Sequence, residues 1–148
     1  MTKTEALEKM AKYCAYQERC QSDVRLKLFH SGLDRDEIED VICHLIEQDF
    51  VNEERFAKAF TRGKFRQKGW GKIKIKQHLI QKEISEYCLK KGFEEINESE
   101  YLIKLEEILY KKINSLSETN EFILNQKAAK YAISRGYESS LVWDLLNC

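Results

Sequence analysis

Lys72-Ile73-Lys74-Ile75-Lys76 alternates charged and apolar residues with period two, the pattern of a half-buried strand, in a chain that otherwise reads as helix. How this stretch folds decides whether the chain is all-α. Its counterpart about 50 residues earlier, Ser22 to Ser31, lacks the alternation. An isolated strand of this length also has nothing to pair with. A helix is therefore expected here.

Outward from that stretch, the chain repeats. Sliding it on itself by about 50 residues sets Leu28-Phe29-His30-Ser31-Gly32-Leu33 over Leu79-Ile80-Gln81-Lys82-Glu83-Ile84, and then over Ala132-Ile133-Ser134-Arg135-Gly136-Tyr137. Each copy reads as helix, second helix, tight turn and third helix, which gives repeats over residues 1–49, 50–96 and 97–148. One such unit buries a small core, and stacking units in line hides their open ends. The expected fold is all-α, with three tandem three-helix repeats forming an elongated, curved array.

Local chemistry agrees. Proline is absent and glycine occurs six times, so little interrupts long helices. Leu7, Met10, Ala11 and Cys14, and again Ile38, Val41, Ile42, Leu45 and Ile46, line single helix faces at spacings of three and four. Asp34 with Glu37 has capping-box spacing, and Ser22, Asn52, Asn97 and Asn120 are further helix starts.

With 148 residues, 43% of them hydrophobic, the chain can bury a real core. It holds no apolar run near the roughly 20 residues a bilayer requires, and its start lacks a signal-peptide stretch. A cytoplasmic protein away from membranes is expected. Cys14, Cys20, Cys43, Cys88 and Cys148 are odd in number and scattered without CxxC spacing, so reduced thiols serving mostly as core filler are expected, not disulfides or zinc.

Charge is sorted along the chain. Residues 55–82 hold ten Lys or Arg and no Asp or Glu, so the window carries +10 against −10 elsewhere in a chain with 25 of each sign. Such density costs self-repulsion and points to a negatively charged partner. If Asn52 caps a helix to about Gln67, then Arg55, Lys58, Arg62 and Arg66 share one face, with Phe56, Ala57 and Phe60 opposite and Phe65 beside the basic face. Lys64, Lys68, Lys72, Lys74, Lys76 and Lys82 extend the charge with no acid inside the stretch to offset it. Trp70, between Gly69 and Gly71, either fills a gap in its own unit or stacks on a partner. The expected binding set is Arg55, Lys58, Arg62, Lys64, Arg66, Lys68, Trp70, Lys72, Lys74 and Lys76.

Catalytic chemistry finds no support. The close glycines Gly63, Gly69 and Gly71 lack P-loop spacing, His30, His44 and His78 stand singly, and Glu94-Glu95 and Glu106-Glu107 read as solvated helix faces. No enzyme, cofactor or metal is expected.

Asp49-Phe50-Val51-Asn52-Glu53-Glu54-Arg55-Phe56-Ala57, then Gly69-Trp70-Gly71 and Ile75-(x3)-Leu79-(x4)-Ile84, resembles the central signature of the RecX regulatory family. Arg19-Cys20-(x3)-Val24-(x3)-Leu28-(x3)-Gly32 is similar to that family's first repeat, so the likeness covers about residues 10–95. Asp49 and Lys72 stand where members commonly carry Gly and Pro, Asn52 where they carry Asp, and Cys20 where they carry Ser. The resemblance implies a monomeric protein of helical repeats that binds the filament of the RecA recombinase, lies along its groove, and restrains ATPase and strand exchange. Single-stranded DNA is a further possible partner. Two alternatives stand beside it: a stand-alone single-stranded nucleic-acid-binding helical module, and a helical adaptor for an acidic protein.

Overall fold

The computed structural model describes residues 1–148 as nine α-helices without a strand. They fall into three consecutive sets of three. The first holds α1 (Lys3–Tyr16), α2 (Gln21–Leu28) and α3 (Arg35–Glu47); the second α4 (Glu53–Arg66), α5 (Lys72–Gln81) and α6 (Glu86–Phe93); the third α7 (Glu98–Ser115), α8 (Glu121–Ser134) and α9 (Ser139–Leu146). Lys72 to Lys76 is the first half of α5, so the alternating stretch is helical. Its period-two pattern still leaves a usable face, with Ile75 and Leu79 buried four apart and Ile73 exposed.

Helix starts follow local chemistry. Asp34 accepts the Glu37 N–H at 2.9 Å while Glu37 returns a bond to the Asp34 N–H, a reciprocal capping box. Asn52, Asn97 and Asn120 accept the N–H three residues on at 2.9, 3.0 and 3.2 Å. Thr2 with Glu5 forms a second capping box. Ser22 proves not to be a helix start: α2 begins one turn position earlier, with Cys20 ahead of Gln21 and the Asp23 carboxylate accepting the Cys20 N–H at 3.1 Å.

The repeat alignment is visible in the backbone. Gly32, Glu83 and Gly136, equivalent in the three copies, all adopt positive φ, at 87°, 61° and 101°. Each turns the chain out of its set's second helix. Leu28, Leu79 and Ala132, four residues earlier in each copy, are all buried.

By spatial proximity the chain divides into two units, one of residues 1–60 and 79–92, the other of residues 61–78 and 93–148. In the first, Ala6, Met10 and Cys14 of α1 pack with Val24, Leu28, Val41, Ile42, Leu45 and Val51. In the second, the rings of Phe65, Tyr101 and Tyr137 form a buried row, with centroids 5.8 and 5.0 Å apart. Of the five cysteines only Cys14 and Cys20 are buried, so the thiols are less a core filler than their number suggests.

Candidate functional site

The ten cations of residues 55–82 meet different fates. In the first unit, Arg55 donates to the Glu18 and Asp49 carboxylates, the latter at 3.0 Å, and to the Asp49 carbonyl at 2.9 Å. Lys58 pairs with Glu54 one turn earlier at 3.3 Å. Lys82 meets Asp23 at 2.7 Å. Burial pushes the Asp23 carboxyl upward, but the Lys82 ammonium and the Cys20 N–H outweigh it and hold the group below the usual carboxylate range. Arg55 and Lys82 therefore brace their own unit.

In the second unit, Arg62 pairs with Glu95 and Lys72 with Glu98, and the Lys72 ammonium also lies 4.7 Å from the centre of the Tyr101 ring. The expectation of an un-neutralised stretch is thus corrected. Carboxylates from outside the window offset Arg55, Lys58, Arg62, Lys72 and Lys82. Glu95, expected on a solvated face, is one of them.

The other five cations of the stretch lie on the two helices and the turn that flank Trp70. The ammonium groups of Lys64 and Lys74 lie 4.9 and 4.6 Å from the centre of its ring, within cation–π range. The His78 ring packs on the same indole at 4.5 Å. Trp70 is half-buried, so it both fills space in its own unit and keeps an open edge. Arg66, Lys68 and Lys76, on the same stretch, are exposed and have no carboxylate partner. Phe65, by contrast, is only 3% exposed and belongs to the core. The structure therefore brings Lys64, Arg66, Lys68, Trp70, Lys74 and Lys76 into one short helix–turn–helix of the second unit.

This turn is built with unusual closeness. Gly69 takes φ +68° to leave α4, and the Trp70 N–H turns back to the Lys64 carbonyl at 3.0 Å. Gly71, just ahead of α5, has no side chain to cap the helix, so other residues take its first donors. The Tyr101 hydroxyl accepts the Lys72 N–H at 2.9 Å and itself donates to Glu138, while the Gly136 carbonyl accepts the Ile73 N–H at 2.9 Å. A Cβ on Gly71 would stand 2.3 Å from the Gly136 carbonyl, so only glycine admits this approach. Burial, together with the bond to Glu138, holds the Tyr101 phenol protonated far above the usual tyrosine range.

Tyr101, Arg135, Gly136 and Glu138 escaped sequence reading because they lie far along the chain from the turn they support. The signal available was the repeat alignment, which singled out Arg135-Gly136-Tyr137 for its turn without revealing its neighbour. No group of three or more His, Cys, Asp or Glu side chains is placed to hold a metal ion, and no helix is long and apolar enough to cross a membrane.

Comparison with known proteins places this geometry. Residues 52–91 match the family model for the second three-helix domain of RecX. The chain is 28% identical over 132 residues to a regulatory protein RecX of Clostridium acetobutylicum, covering 86% of this chain and 61% of that protein. It is 31% identical over 125 residues to the RecX of Clostridium perfringens strain 13, covering 81% and 57%. The chain thus spans about six-tenths of the length of these relatives. Among solved structures, a crystal structure of regulatory protein RecX superposes with a TM-score of 0.88 at 22% identity, covering 98% of this chain and 72% of that one. A RecX from Lactobacillus salivarius superposes at 0.85 with 20% identity, covering 97% and 93%; at such identities these two show the fold. The signature around Asn52 to Phe56, the nine helices in three sets and the matching relatives agree: residues 52–91 match the second three-helix domain of RecX, and the chain as a whole is similar to the RecX regulatory proteins.

Proposed function

We propose that this chain is a negative regulator of the RecA recombinase, binding along the groove of the RecA–DNA filament and inhibiting ATPase and strand exchange during recombinational repair. The reading is carried by one observation: Arg66, Lys68 and Lys76 stand exposed without carboxylate partners on the stretch where Lys64 and Lys74 gather on Trp70. In a chain of zero formal net charge, such a local excess is a docking feature for an acidic or phosphate-bearing surface. Arg62 and Lys72, paired with Glu95 and Glu98 in the same unit, serve as its ion-paired supports, while Arg55 and Lys58 are ion-paired within the first unit. The three repeats over 1–49, 50–96 and 97–148 offer more than one contact to a repeating partner, which raises avidity beyond any single site. Holding neighbouring RecA subunits in one pose would then oppose the motions of ATP turnover. The chain acts as a cytoplasmic monomer without catalysis of its own.

Steady-state ATPase of RecA filaments with added protein tests this. Inhibition is expected at low salt, and the Arg66→Glu, Lys68→Glu, Lys76→Glu triple variant should need at least ten times more protein for the same effect. Unaltered ATPase at saturating protein would overturn the reading. The indole held among lysines also favours a second reading, a stand-alone single-stranded nucleic-acid-binding module. That reading predicts salt-sensitive binding to an oligonucleotide and no effect on RecA.

A further inference from the structure

The role of the third helix set is open in the family reading, and the structure suggests one. We infer that the α8–α9 turn, Arg135 to Glu138, is a positioning element for the basic turn around Trp70, so that the third set presents the interface whether or not it touches the partner. Five separate contacts support this, all inside the second unit. Arg135 donates its guanidinium to the Lys68 carbonyl, and its own carbonyl accepts the Gly71 N–H at 2.9 Å. The Gly136 carbonyl accepts the Ile73 N–H at 2.9 Å. The Tyr137 hydroxyl donates to the Gly69 carbonyl at 3.1 Å, and Glu138 fixes the Tyr101 hydroxyl that caps Lys72.

These contacts grip the backbone on both sides of Trp70, at Lys68, Gly69, Gly71, Lys72 and Ile73. Packing is as close as backbones allow. A Cβ on Gly136 would fall 2.4 Å from the Lys74 Cβ, and its φ of +101° already excludes most side chains. Lys74 is one of the two lysines on the indole, so a shift of Gly136 moves the cluster itself. Cations on an ordinary mobile loop would lose conformational entropy on docking, whereas a turn fixed beforehand loses little. The third set supplies that fixing.

The inference rests on the proposed partner for its functional arm, but its structural arm does not. With Trp143→Phe as background, Trp70 is the only tryptophan, and its emission reports the turn directly. Tyr137→Phe and Arg135→Ala should shift that emission to the red with helical content by circular dichroism retained, and both should weaken inhibition of RecA filaments about tenfold. Arg135→Lys, which keeps a donor for the Lys68 carbonyl, should restore both readouts in part. Gly136→Ala should act more strongly, and if it does not fold, the two other variants carry the test. Unmoved emission together with full inhibition in Tyr137→Phe and Arg135→Ala would overturn the positioning role. Shifted emission in a protein whose parent does not affect RecA would overturn the partner and leave the positioning role standing.

Discussion

At the scale of single residues, a lysine's sign says little about its use. Lys82 and Lys76 look alike in the sequence, yet Lys82 is one-third exposed and bonded to Asp23, whereas Lys76 is exposed with no carboxylate partner. The Asp23–Lys82 pair carries a pH signature. Because the folded pKa of Asp23 is depressed, its contribution is present above the ordinary carboxylate range, about pH 4, and fades as pH falls through the depressed value. The raised pKa of Lys82 contributes below the ordinary lysine range and fades only as pH climbs past it. Glu53, raised by burial, works in the opposite direction to Asp23, so wild-type acid titration mixes the two. Asp23→Asn isolates the pair: thermal melts should show a loss of about 1–2 kcal/mol at pH 7 and a smaller loss near pH 2. A difference independent of pH would rule out the ion pair as its source.

Asp49 and Glu83 make a second point at this scale. Both are non-glycine residues at φ near +60°, and Asp49 offsets its strain by accepting from Arg55. Its carboxylate thus contributes a bond that a glycine at this position could not make.

At the scale of elements, most helix starts are capped by side chains within three residues of the end, and one departure matters. The start of α5 is capped by Tyr101 of α7, 29 residues away, in place of any local cap. Tyr101→Phe keeps the buried ring and its stacking on Tyr137, but leaves the Lys72 N–H and the Glu138 carboxylate short of a partner. It should cost about 1–3 kcal/mol in urea unfolding, and amide exchange should rise first at Lys72 and Ile73. Equal exchange in the two proteins would show that another group caps α5. The cap also explains why Gly71 can stand ahead of the helix at all: its missing side chain allows the close backbone approach, and the tyrosine replaces the capping function.

At the scale of the whole molecule, zero formal charge conceals a local imbalance, and only that imbalance can respond to salt. Arg66, Lys68 and Lys76 should together contribute a slope of about −2 to −3 in log affinity against log salt for a phosphate-bearing partner. The slope would be read from inhibition curves over a potassium chloride series. The triple glutamate variant should flatten it, while Lys82→Met should leave it unchanged and lower thermal stability instead. A wild-type slope near zero would remove charge as the basis of docking.

The sequence by itself determined the nine helices, their caps at Asp34, Asn52, Asn97 and Asn120, and the alignment of Gly32, Glu83 and Gly136, because capping, periodicity and turn geometry act over a few residues of chain. It also marked the basic stretch and Trp70, since composition can be read without a fold. Tertiary structure alone decided which cations stay available. Arg62 finds Glu95 33 residues on, Lys82 finds Asp23 59 residues back, and the turn carrying Trp70 is held from Arg135 and Tyr137, 67 and 68 residues beyond their partners. Ion pairing and packing depend on distance in space, and neither charge count nor local periodicity encodes which residues folding brings within a few ångströms.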